Sequence, residues 1–167
     1  MSDGAGPPAR GADVTGGTIL EGGRRKAYRP LAEPERAAAF RAGLAAYDRG
    51  DWFLAHELLE PAWMGSDDPA ERALHSGLIK LAAAGVHAVR RNPIGAARNL
   101  AGARTRLALA ADGARAAESA GGDGMRRRRL RDGGLDLVAL LGAVDAHLTA
   151  AGDPLDIPPP LPRRGPP

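Results

Sequence analysis

Between its two ends the chain alternates apolar and polar residues at the spacing of amphipathic helices. Phe40, Leu44 and Tyr47 fall at i, i+4 and i+7, one stripe of a helix that the Glu33-Pro34 pair is placed to open. Gly50 suits the left-handed position that ends a helix, and Asp51 follows as an N-cap. The pattern predicts a tight turn into a second, antiparallel helix from about Trp52 to Met64. On that helix Trp52, His56, Leu59 and Trp63 share a face with Glu60 at its edge, and Pro61 interrupts the backbone ladder.

The third helix announces its start. Asp68-Pro69-Ala70-Glu71 combines an N-cap, a proline at the first helical position and an acid at the third, a capping-box pattern. Leu74, Leu78, Leu81 and Gly85 form its stripe, Ile79 and Val86 widen it, and Ala82, Ala83 and Ala84 are small enough to admit a close neighbour. This helix is expected at the centre of the fold, ending near Arg91. Asn92-Pro93 begins a fourth, to about Ala111, with Leu100, Ala103, Leu107 and Ala111 inward. A final helix over about 135–150 carries Leu137, Leu140, Leu141, Val144 and Leu148. The expected fold is therefore all-α, a single bundle of about five helices over residues 33–151. Residues 112–134 are expected to be an Arg- and Gly-rich linker inside it.

Composition explains the edges of this pattern. The chain has 167 residues, 23 of them glycine and 14 proline, enough for one core. Gly, Ala, Pro and Arg dominate residues 1–32, which show no periodicity and are expected to form a disordered basic tail. Residues 152–167 are proline-rich and are expected to be a second such tail. Its PPPLP stretch favours polyproline II and is a candidate ligand for a protein partner. With no cysteine, disulfides, thiolate metal sites and cysteine nucleophiles are excluded. No apolar run reaches the ~20 residues that span a bilayer, so no membrane partner is expected. The first 30 residues lack a secretory hydrophobic core, and the expected location is cytoplasmic. The net charge of +3 is concentrated at residues 24–29 and at Arg126 to Arg129 with Arg131. Such runs are usually solvated, but the second is where a nucleic-acid-associated protein would make its contacts.

Candidate chemistry centres on the second helix. His56 and Glu60 lie one turn apart among the chain's aromatics, and the spacing predicts a buried imidazole paired with a carboxylate. In one reading that pair is structural and fixes helix register. In the other, His56 with Glu57 or Glu60 binds a divalent metal, with His87 or His75 of the third helix completing the site, and Glu57 or Glu60 serves as general base of a hydrolase. The spacing H-E-x-x-E is not the H-E-x-x-H of zinc proteases. His75 falls on the widened apolar arc of the third helix. His87 lies on the opposite side, which favours His87 for a polar pocket, and His147 is expected at the surface.

Residues Gly43, Tyr47, Gly50, Phe53, His56, Glu57, Glu60 and Trp63, followed by the Gly77-Leu78-Ile79-x-Leu81-Ala82-Ala83-Ala84 block, His87 and Asn92-x-x-Gly95-Ala96, resemble the domain of unknown function 309 family. The resemblance runs from Phe40 to Leu107. It implies a compact helical bundle with a common pocket at His56, Glu57, Glu60, Trp63 and His87, and it supplies no activity. Pro61, His75 and Lys80 depart from the pattern; a Lys80 cation beside a metal would oppose its binding. The function expected from all of this is a helical accessory module with a His/Glu/Trp pocket for a small ligand or a partner. The alternatives are a metal-dependent enzyme and a nucleic-acid-associated protein.

Overall fold

The computed structural model describes residues 18–21, 24–27, 29–119, 132–149, 156 and 158–165. The expected bundle is present: α1 Glu35–Asp48, α2 Trp52–Gly65, α3 Pro69–Val89, α4 Pro93–Ser119 and α5 Leu137–Thr149. The capping residues act as their positions predict. Asp51 accepts the Leu54 N–H at 3.2 Å, and Asp68 accepts those of Ala70 and Glu71 at 2.9 Å, satisfying donors that a helix start leaves bare. Gly50 takes φ +77 between α1 and α2, a conformation costly to any side chain. Glu71 does something the capping pattern did not foresee: its buried carboxylate accepts the Ser66 hydroxyl at 2.9 Å, tying α3 to the end of α2.

Small residues set the helix spacing. A Cβ at Gly77 of α3 would lie 2.8 Å from the Leu107 side chain of α4, one at Gly102 2.9 Å from the Lys80 stem, and one at Gly113 2.6 Å from Ala70. These contacts run in opposite senses along the two helices, so α3 and α4 are antiparallel and in near contact over most of their length. Gly43 of α1 meets Leu59 of α2 in the same way, and Gly85 of α3 meets the Trp52 ring. The core gathers at these seams: Leu44, Leu59, Leu74, Leu78, Leu81 and Leu107 are buried. Leu135, Leu140 and Val144 bring α5 onto it.

The structure departs from the sequence reading in three places. First, α4 runs to Ser119, eight residues past the predicted stop, so 112–119 is helix and not linker. Alanine-rich sequence favours the continuation, Arg115 pairs with Asp112 one turn away, and Gly113 lets the extension lie against Ala70. Second, Thr18–Glu21 and Arg24–Ala27 form an antiparallel two-stranded hairpin. The two runs are separated in sequence by Gly22-Gly23, a pair suited to hairpin connections, and four-residue strands are too short to show a periodicity. Third, the far end of the proline-rich segment is docked. Pro158, Pro159 and Leu161 are buried, and the buried Tyr47 hydroxyl donates to the Pro159 carbonyl at 2.9 Å. Backbone N–H groups of Asp136 and Arg164 bond Pro162 and Gly134 at 2.9 Å. Arg164 grips Asp132 through two bonds of 2.7 Å. Prolines cannot donate, but their carbonyls accept, and the Tyr47 phenol exploits that; its burial raises its pKa far above the ordinary value. Arg126 to Arg129 and Arg131 lie outside the described residues, as does most of the expected N-terminal tail.

Candidate functional site

The core-facing residues of α2 are Ala55, Leu59 and Ala62, not the aromatics. Alanine lets α2 approach α1 and α3, whereas an indole at those positions would hold them apart. Trp52 and Trp63 are displaced to the flanks, half-buried, and His56 goes with them. This corrects the expectation that His56 and Glu60 are buried. The His56 side chain is 26% exposed and its Nδ1 lies 3.2 Å from Oε1 of Glu57, itself 53% exposed. Glu60 is half-buried. The ligand atoms of His56, Glu57 and Glu60 all lie within 4.8 Å of one another, so the three converge at the surface of one helix.

His87 is not part of that cluster. Its Nδ1 lies 3.1 Å from the Asn92 side-chain nitrogen, and Asn92 accepts the Gly95 N–H at 2.9 Å. A Cβ at Gly95 would come within 2.5 Å of the imidazole. His87, Asn92 and Gly95 thus build the turn from α3 into α4, and the histidine closes it. Lys80 lays its stem over Gly102 of α4, where its aliphatic carbons cover helix backbone.

Trp63 lies in a different place again. It lines a groove of about 520 Å³ with Arg72, Ser76, Arg106, Leu109 and Gly113, where the start of α3 passes the end of α4. The Arg72 guanidinium sits 4.7 Å from the Trp63 ring centroid. It also donates to the Trp63 and Ser66 carbonyls at 3.1 and 2.9 Å, so this charge is committed to capping α2. Arg106 is exposed, and among the described residues no hydrogen bond or ion pair engages it. Leu109 stays 50% exposed. The five sequence-predicted site residues therefore divide among a surface cluster, a groove and a helix turn.

The histidine that sequence reasoning set on an apolar arc is the most unusual of the four. His75 is 1% exposed, stacked on Phe40 at 4.6 Å between centroids, and neither ring nitrogen has a hydrogen-bond partner. The Ala62 backbone lies near enough to favour the protonated ring slightly, but without acceptable hydrogen-bond geometry. Burial, reinforced by the Arg36 and Arg72 charges, pushes the pKa down to about 4. The ring is neutral at physiological pH. Periodicity could place His75 inward but could not show that it would be left unpaired there. His147, expected at the surface, is half-buried with its Nε2 also buried and unpartnered.

Residues 40–99 match the family model described as Domain of unknown function (DUF309), just over a third of the chain, in agreement with the resemblance drawn from the H-E-x-x-E-x-x-W and G-L-I-x-L-A-A-A blocks. No curated protein and no solved structure matches the chain. The match spans α1 from Phe40, all of α2 and α3, and the first turns of α4.

Because His75 holds a depressed pKa only when folded, its linkage has a definite sign. Above the ordinary value of 6.5 the ring is neutral in both states and contributes no pH dependence. Below it the unfolded chain takes up a proton that the folded chain refuses, so stability is lost progressively down to about pH 4. Urea denaturation at about pH 7 and about pH 4.5 should show an acid-induced loss of stability about 2–3 kcal/mol greater in the wild type than in His75→Phe. Equal losses in the two proteins would contradict the burial described.

Proposed function

We propose that this chain, which carries a DUF309 domain over residues 40–99, is a helical binding module for a small organic anion with a flat apolar body, taken up in the groove beside Trp63. The observation that carries the reading is the uncommitted Arg106 guanidinium, which lines one concave, partly apolar groove together with the half-buried Trp63 indole. A groove of this volume lies within the range that admits cofactor-sized ligands. The ligand's ring would lie on Leu109 and the edge of Trp63, its anionic group would pair with Arg106, and the Ser76 hydroxyl would supply orientation. Arg72, held by two carbonyls, presents a fixed charge whose geometry costs nothing to organise on binding. Anilinonaphthalene sulfonate, an aromatic anion, serves as the probe. It should bind the wild type, and Arg106→Ala should weaken binding by about tenfold with no change in melting temperature. Equal binding by both proteins would remove the groove from consideration.

A second reading is favoured by the convergence of His56, Glu57 and Glu60. One imidazole and two carboxylates on adjacent turns make a nitrogen–oxygen donor set suited to zinc or a similar divalent ion, with positions left open to solvent. His87 closes the α3–α4 turn with Asn92, apart from this cluster, and the Lys80 stem lies over Gly102 of α4. Calorimetric titration with zinc should show one site. Glu60→Gln should weaken it about tenfold or more, because a neutral amide is a poor ligand. An unchanged isotherm in the variant would end the metal reading.

A further inference from the structure

A second concavity, of about 210 Å³, opens between the start of α1 and the first half of α3. His75, Phe40, Arg36, Arg41, Glu33 and Glu71 line it, and Gly133 closes one side. Its charged groups fall into two sets. Glu71 is taken by the Ser66 hydroxyl at 2.9 Å, and Glu33 by Arg36 at 2.9 Å. Arg36 in turn also donates to the Gly65 carbonyl. These groups hold α1, α2 and α3 together and are spent. The groups left over, among the described residues, are the exposed Arg41 guanidinium and the imidazole of His75. Both offer N–H donors.

The two leftover groups are independent observations. An arginine at a cavity mouth is ordinary. A fully buried imidazole with two unpartnered nitrogens is not, because each polar atom taken from water without a replacement bond costs about 1–3 kcal/mol. A site that retains such a ring on the wall of a cavity is completed by something that enters the cavity. The lining carries the carboxylates of Glu33 and Glu71 beside the guanidiniums of Arg36 and Arg41. Glu33 and Arg36 pair with each other and Glu71 accepts the Ser66 hydroxyl, so Arg41 is the lining charge left to meet an occupant, and it calls for an anion. On the ring itself Arg36 and Arg72 act with positive charge, and the Ala62 backbone of α2 favours the protonated form.

We propose that this cavity is a binding site for a compact organic anion, a small carboxylate, held by Arg41 and the His75 ring with its carbon skeleton against Phe40. The site is separate from the groove at Trp63 and differs from it in scale: less than half the volume, with no exposed aromatic platform. Binding would be linked to protonation. In the empty protein the ring stays neutral to about pH 4. A bound carboxylate stabilises the imidazolium and raises that value, so the complex takes up a proton and affinity rises as pH falls towards the empty-state value of about 4. Such a module would respond jointly to an acid metabolite and to acidity.

The test uses the full chain labelled with nitrogen-15 in its histidines, with malonate as the compact dicarboxylate and inorganic phosphate as a non-carboxylate anion. Addition of malonate should shift the His75 ring nitrogens towards the imidazolium position. The malonate affinity should increase on acidification, fall about tenfold in Arg41→Ala, and be unaffected by Arg106→Ala in the other groove. His75→Phe, which fills the same space against Phe40, should leave only the pH dependence that malonate's own second ionisation imposes; Arg41 is exposed, so its variant remains informative if His75→Phe does not fold. His75 resonances unmoved by malonate at millimolar concentration would overturn the proposal. So would a malonate affinity equal in wild type and Arg41→Ala, or phosphate binding that matches malonate and does not move the His75 ring.

Discussion

The near contact of α3 with α4 is the constraint from which the rest of the molecule follows. Gly77 admits the Leu107 side chain to within a distance that no Cβ would tolerate, and Gly102 and Gly113 extend the approach in both directions. Close helices exchange more dispersion contacts and exclude more water than distant ones. This matters in a chain whose aromatic residues amount to 4%. With so few large side chains available, the core is filled by leucines interlocked with glycine and alanine, and the remaining helices take their places against that pair.

The same economy creates the candidate sites. Alanines on the inner face of α2 push Trp52, His56 and Trp63 outward. Trp52 then finds Gly85 and stacks edge-on against Tyr47 at 4.7 Å. Trp63 becomes a groove wall, and His56 joins Glu57 and Glu60 at the surface. Tyr47 spends its hydroxyl on the C-terminal proline segment, so this aromatic pair also holds that segment onto the bundle. His75 is the exception, a polar ring drawn inside by the apolar arc of α3 and stacked on Phe40 without a partner for either nitrogen.

Much of this was legible in sequence because it is local. The caps at Asp51 and Asp68, the stop at Asn92-Pro93 and the Leu74–Leu78–Leu81 stripe depend on residues within a turn or two of each other. The misreadings are long-range. The extension of α4 through Gly113 depends on Ala70, more than forty residues earlier. The docking of Pro158–Leu161 depends on Tyr47 and Leu135. The position of His56 turned on which of two adjacent arcs faces the core, and the aromatic arc lost to the alanine arc because helix proximity outweighed side-chain size. The place of His87 beside Asn92 and Gly95 was hidden for the same reason, since they form a turn whose geometry no periodicity reveals.

Replacement of Gly77 by alanine tests the close-contact account most directly, with Gly142→Ala as the reference. Both glycines lie inside helices, where alanine is intrinsically favoured by about 0.5–1 kcal/mol, but a Cβ at Gly142 meets nothing within 4 Å. Chemical denaturation should show Gly142→Ala to be as stable as wild type or slightly more so. Gly77→Ala should lose about 1–3 kcal/mol as Leu107 is driven from its position. If Gly77→Ala is instead stabilised to the same degree as Gly142→Ala, the two helices are not held at the separation described, and the packing built on that separation is wrong.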